Sequence, residues 1–103
     1  MSRTLEEIKF RAGRLSVVSD ALREGCVAIA RRCSAQRSFK DAVRAAQLHG
    51  IGGMEAIGVA KATRWLAVIR RDHGEKVFNE TVRTLTKGSG NDADQSASAF
   101  VRA

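Results

Sequence analysis

Two cysteines and two histidines are the residues of this 103-residue chain best suited to metal or nucleophile chemistry. Six residues lie between Cys26 and Cys33, and 23 lie between His49 and His73. Structural zinc sites usually pair their ligands at shorter spacings, C-x2–4-C or H-x3–5-H. No nucleophile elbow frames either cysteine, nor a serine that could work with His73 and Asp72. We therefore expect no metal, no cofactor and no enzymatic activity.

Cysteine spacing and the lack of a long apolar segment indicate the compartment. Within one helix Cys26 and Cys33 would lie about 10 Å apart, whereas a disulfide requires Cα atoms within about 7 Å. Two unpaired thiols suit the reducing cytoplasm. Glu6 and Glu7 stand where a secretory signal would be apolar. The longest uncharged stretch, 45–54, has ten residues, and a membrane-spanning helix needs about 20. We expect a cytoplasmic chain without membrane contact.

The basic residues form the most informative pattern. Residues 1–87 contain 17 basic and 9 acidic side chains, which gives this part a net charge of +8. One basic cluster occupies 31–44 and a second occupies 61–71, with Asp41 as the only acid in either. Arginine outnumbers lysine 13 to 5, and its planar guanidinium suits phosphate contacts. Clustered positive charge on a helical domain is the electrostatic footprint of nucleic-acid binding.

The leading hypothesis is therefore a small, basic, helical protein that binds nucleic acid or acts as an accessory regulatory protein, and is not an enzyme. DNA is favoured over RNA as its partner. Its Arg and Lys clusters are expected to contact phosphates. The predicted contact residues are Arg31, Arg32, Arg37, Lys40, Arg44, Arg64, Arg70 and Arg71.

Residues 39–71 resemble a helix-turn-helix motif in outline. A helix ends near His49, a turn contains Gly50 and Ile51, and a second helix follows. A recognition helix normally exposes polar residues at its start, but Glu55 is the only charged residue in 54–60. The glycines of the turn precede a helix N-terminus, as in phosphate-binding loops, yet they lack the spacing and the lysine of those loops. We interpret the segment as a turn and expect phosphate contacts rather than base reading.

Apolar side chains at steps of three and four residues predict a long N-terminal helix over 4–33. Thr4 and Glu7 form a capping box at its start, and the apolar stripe keeps one phase over four heptads, which is typical of helix-on-helix packing. A continuous helix would be about 45 Å long, so it is broken, part of an elongated bundle, or covered by a second subunit. The predicted interface residues of this stripe are Leu5, Ile8, Leu15, Leu22 and Ile29.

Three further helices complete the predicted fold. A short helix spans about 39–48 with Ser38 as N-cap. A central buried helix spans about 54–71, and a last helix follows a turn at 72–75 and runs to about 87. No segment has the alternation of a strand. The predicted fold class is all-α, a small bundle of about four helices in one domain over 1–87, with a flexible polar tail over 88–103.

The rival hypothesis is a helical protein–protein interaction module, such as an adaptor, an antiactivator or an assembly component. Sixteen of the 45 apolar residues are alanine, so the core is thin and a helical partner or a homodimer would help to complete it. The two hypotheses are compatible, because many DNA-binding proteins dimerise through a helix. Basic clusters that share one face would favour nucleic acid, whereas pairing with glutamates such as Glu55 and Glu75 would favour the module.

Overall fold

A computed structural model of the protein describes residues 4–33 and 35–89, and nearly all of them are helical. These residues contain no β-strand, which confirms the predicted all-α bundle of about four helices. The predicted tail over 88–103, apart from its first two residues, lies outside the described residues. In chain order the elements are α1 (Leu5–Ala12), a 3-10 segment (Gly13–Val17), α2 (Asp20–Arg32), α3 (Ala35–Leu48) and α4 (Gly53–Ser89).

The predicted capping box at the start of α1 is confirmed. The Thr4 hydroxyl accepts from the backbone N–H of Glu7 at 3.2 Å, and the Thr4 N–H donates to the Glu7 carboxylate at 3.2 Å. Two backbone N–H groups that a helix start leaves without partners are thereby satisfied.

The long helix predicted over 4–33 is broken, which was one of the three alternatives that its length left open, because the chain leaves the α-helical path between α1 and α2. Val18 is extended, and the Ser19 hydroxyl caps α2 by accepting from the N–H of Leu22 at 3.3 Å. A serine N-cap stabilises a helix start by about 1 kcal/mol. Arg23 is buried and points its guanidinium back at carbonyl oxygens of the break. Heptad spacing survives such a break because both helices still face the same core.

Helix α3 also begins earlier than the predicted residue 39, and Ser38 is not its N-cap. Ser38 lies inside α3, fully buried, and its hydroxyl donates to the backbone carbonyl of Ile29 at 3.4 Å. A buried hydroxyl needs such a partner, and here the partner comes from α2. The serine therefore joins two helices instead of starting one.

Helix α4 contains both the predicted central helix and the predicted last helix. Gly74 interrupts it with φ 93° and ψ 170°, at the predicted turn. A straight helix of these 37 residues would be about 55 Å long, whereas the longest extent of the molecule is 41 Å. The arm 75–89 therefore turns back, and Phe78 enters the core.

The arm 53–73 of α4 is the centre of the bundle, as predicted. Val59, Leu66 and Ile69 on this arm are completely buried, and α4 contacts α1, α2 and α3. Much of the surrounding core is alanine, which lets helix backbones approach closely. The buried alanines are Ala12, Ala30, Ala35, Ala42, Ala46, Ala56, Ala60, Ala62 and Ala67.

The heptad stripe lies in the core of the chain itself. Ile8, Leu15, Leu22 and Ile29 are buried, and Leu5 packs half-buried against them. The radius of gyration is 13.8 Å, close to the value of about 13 Å for a compact domain of this size. The break between α1 and α2 thus removes the excess length that had suggested an elongated bundle or a covering subunit. Among the described residues, no helix is both long enough and apolar enough to span a bilayer.

Candidate nucleic-acid interface

Three of the predicted phosphate contacts form ion pairs at the corner around Gly74. The Glu75 carboxylate accepts from Arg70 at 2.8 Å and from Arg31 at 3.1 Å. Arg71 donates to Asp72 at 2.8 Å, and this hydrogen bond lowers the pKa of Asp72 and raises the pKa of Arg71. These pairs neutralise Arg70 and Arg71 at the end of the second basic cluster. The pair between Arg31 and Glu75 also connects α2 to the corner.

The exposed face of α3 carries three of the predicted residues. Arg37, Lys40 and Arg44 follow one another at steps of three and four residues, which places them on one side of the helix. All three are exposed, as is Arg32 near the end of α2. Within the described part of the chain, Arg32, Lys40 and Arg44 form no ion pair with an acidic side chain.

The two basic clusters meet in a depression between α3 and α4. Lys40 comes from the first cluster, and Lys61 and Arg64 come from the second. Gln36 and Phe39 complete the lining. The tertiary structure therefore brings part of each cluster to one surface, which the sequence alone did not show.

A second depression, between α1 and α4, meets the first at Lys61. Arg11 and Arg14 enter it from the N-terminal part of the chain, and Phe10 and Trp65 border it. We call the two depressions together the basic groove. Its lining residues are Phe10, Arg11, Gly13, Arg14, Val17, Gln36, Phe39, Lys40, Gly58, Lys61, Ala62, Arg64 and Trp65.

The lining of the basic groove contains five cationic side chains and no carboxylate. One acid pairs with a groove cation: the Glu55 carboxylate lies 3.4 Å from the Arg14 guanidinium. Both of these side chains are about half exposed, and such pairs contribute little net energy. Like charges that share a concave surface produce a strong positive potential, so the groove is suited to a polyanion.

Three aromatic rings line the groove together with the cations. The guanidinium carbons of Arg11 and Arg64 lie 5.8 and 5.6 Å from the centre of the Trp65 ring, within cation–π distance. Phe10 is 86% exposed, although it is a large apolar side chain. Sequence patterning places Trp65 in the apolar sector of the central helix, but the ring is only partly buried and lies at the edge of the groove.

Gly58 gives Arg14 its place in the groove. A Cβ atom built on Gly58 would lie 2.6 Å from Nε of Arg14, closer than real Cβ contacts. The Arg14 side chain therefore lies across the surface of α4 at Gly58, and any larger residue at position 58 would displace it.

The residues predicted from the sequence to contact phosphate and the residues that line the groove overlap only in part. Lys40 and Arg64 belong to both, whereas Arg11 and Arg14 were not predicted. Lys61 belongs to the second basic cluster, 61–71, but was not among the predicted contact residues. For Arg11 and Arg14, the available signal was their i, i+3 spacing beside Phe10 on the polar side of the stripe.

The remaining reactive residues are dispersed in the described part of the chain. Burial raises the pKa of the Cys26 thiol, and a hydrogen bond with Thr63 opposes this effect. The Cys33 thiol lies 3.7 Å from the carboxylate of Asp41. Among the described residues, no three His, Cys, Asp or Glu side chains are grouped so that they could hold a metal ion.

Comparison of the chain with protein-family models, with curated proteins and with solved structures gave no match.

Proposed function

We propose that the protein binds nucleic acid through the basic groove and contacts the phosphates with its cationic side chains. The observation that carries the proposal is the convergence of cations from α1, α3 and α4 on a surface whose lining has no carboxylate. By contrast, Arg31, Arg70 and Arg71 pair with acids at the Gly74 corner, and Arg14 is the one groove cation with an acidic partner among the described residues, the half-exposed Glu55. The groove thus keeps a net positive charge, whereas the charges of the arginines at the Gly74 corner are neutralised by acids.

Within this proposal the predicted residues take different roles. Lys40 and Arg64, together with Lys61, contact phosphates in the groove. Arg37 and Arg44 extend the positive surface along the exposed face of α3, and Arg32 adds charge at the end of α2. Arg31, Arg70 and Arg71 serve the ion pairs around Gly74.

The start of α4 supports phosphate contacts over base reading. The α3–turn–α4 segment has the layout of a helix-turn-helix, but the exposed residues in the first turn of α4 are Gly53, Met54 and Glu55. An apolar side chain and a carboxylate there are poorly suited to base edges beside phosphates.

The rival proposal, a protein–protein module, is favoured by the pairing of Arg14 with Glu55 and of Arg31 and Arg70 with Glu75, but the heptad stripe on which it was built gives it less support. It was motivated by an apolar stripe that a second chain would cover. Leu15 and Leu22 of that stripe are already buried within the chain itself.

The test compares two double variants with the same change in charge on the same helix. Lys61→Gln/Arg64→Gln removes two cations of the groove, and Arg70→Gln/Arg71→Gln removes two cations of the ion-paired corner. Fluorescence anisotropy with labelled oligonucleotides, at about 50 and 200 mM salt, measures affinity and its salt dependence. All four side chains are exposed, so the fold should persist, and circular dichroism checks this.

We expect the groove variant to lose about tenfold or more in affinity at low salt and about 2 in the slope of log K against log salt. The control variant should lose much less. Absence of any binding at low salt, or an equal loss in both variants, would overturn the proposal.

A further inference from the structure

We propose that the basic groove takes single-stranded nucleic acid, with bases stacked on its aromatic and guanidinium surfaces and phosphates held by its cations. This inference rests on the proposed function and specifies the form of its ligand. It depends on Phe10, Phe39 and Trp65, which contact with a phosphate backbone alone would not require.

The distribution of aromatic side chains is the first argument. The described residues contain four, and three of them line the groove while Phe78 fills the core. The core is meanwhile built largely from alanine. Burial of a large ring is favourable, so a chain with a thin core that leaves Phe10 exposed gives up stability at the groove.

The arrangement of rings and cations is the second argument. Single-stranded nucleic acid presents the faces of its bases, and proteins bind them on aromatic rings and on arginine planes beside a positively charged track. Trp65 with Arg11 and Arg64 provides both kinds of surface within 6 Å of the ring centre. Lys61 lies between this surface and the depression that contains Phe39 and Lys40.

A duplex uses this groove less well. Its base faces are stacked inside, so the rings would meet only sugars and phosphates, and the first turn of α4 lacks side chains for reading a major groove. An anionic lipid surface would engage the exposed Phe10 and Val17 but would reach less of Phe39 and Trp65, whose rings are half-buried against the core.

The single tryptophan of the chain supplies the decisive measurement. Intrinsic fluorescence of Trp65 is followed during titration with a single-stranded oligothymidylate, an oligouridylate, a hairpin duplex of matched length, and vesicles of anionic phospholipid. The same oligonucleotides, labelled, report affinity by anisotropy. Phe10→Ser removes one ring at the groove, and Leu48→Ser is the control, because Leu48 is equally exposed but does not line the groove.

We expect single strands to quench Trp65 and to bind about tenfold or more tightly than the hairpin, since each stacked base contributes about that much. Phe10→Ser should lower single-strand affinity about tenfold and leave hairpin affinity and the control unchanged. Comparison of the two single strands assigns DNA or RNA.

Each other outcome has a distinct meaning. Hairpin binding that equals single-strand binding, or binding without a change in Trp65 fluorescence, overturns this inference and leaves the proposed function standing. No binding of any oligonucleotide at low salt overturns both, and binding to vesicles alone replaces both with a lipid ligand.

Discussion

At the residue scale, Arg23 shows how one charged side chain stabilises a break between two helices. The residue is 5% exposed, and its guanidinium pairs with Asp20 and donates to the carbonyl oxygens of Leu15, Ser16 and Val18 at 3.4 Å. These carbonyl groups lie where the chain leaves the α-helical path. A buried carbonyl without a donor destabilises the fold, so the arginine satisfies groups that a continuous helix would have paired itself.

Arg23→Met should therefore reduce the free energy of unfolding by about 1–3 kcal/mol, the cost of leaving buried polar groups unsatisfied. Arg32→Met is the matched control on the same helix, and its exposed side chain predicts a change within about 0.5 kcal/mol. Urea denaturation followed by circular dichroism measures both. Equal stability of the two variants would show that Arg23 does not support the break.

At the element scale, local backbone geometry determines where helices end and turn. Gly74 has a positive φ of 93°, in a region that other residues rarely adopt. A Cβ atom there would meet no neighbour within 4 Å, so conformation alone requires the glycine. Gly25 lies inside α2 with equally open surroundings but without a positive φ.

The same substitution should thus have opposite effects at these two glycines. Gly74→Ala should destabilise the protein by about 1–3 kcal/mol because alanine strains the corner. Gly25→Ala should stabilise it by up to about 1 kcal/mol because alanine is the better helix former. Thermal denaturation gives both values, and a stabilising Gly74→Ala would mean that the two arms of α4 can straighten.

At the scale of the whole molecule, the bundle buries its own apolar stripe and leaves the basic groove on its surface. The stripe that was expected to contact a partner packs against α4, and the charged clusters separate into a paired corner and the basic groove. An interior rich in alanine brings the helices close together, and among the described residues three of the four aromatic rings line the groove, two of them half-buried against the core.

Leu22→Asp tests whether the stripe is core or interface. Leu22 is 1% exposed. The free energy of unfolding of the variant should therefore fall by at least about 2–5 kcal/mol, the range for truncation of one core leucine, and the variant should unfold as a monomer. Leu48→Asp is the control, because Leu48 is 81% exposed and its variant should keep the helical spectrum. A Leu22→Asp protein that stays folded and only dissociates from a dimer would assign the stripe to an interface.

Sequence periodicity correctly predicted the helical class, the stripe, the capping box and the turn at Gly74. These features depend on residues close together in the chain, since a helix places i, i+3 and i+4 on one face. The same logic failed at Ser38, whose partner is the carbonyl of Ile29 in another helix. Heptad spacing also left open whether the helix over 4–33 is broken, because the break at 13–19, where Arg23 donates to the free carbonyls, keeps both helices facing the same core.

The sequence by itself determined that the chain is helical, basic and low in large core residues. Only the tertiary structure decided which charges are compensated and which are collected in the groove. Arg14 and Glu55 are 41 residues apart in the chain, and Arg31 and Glu75 are 44 apart, so no local pattern specifies these pairs. Electrostatic interaction depends on distance in space, and that distance is set by the packing of α1, α2 and α3 around α4.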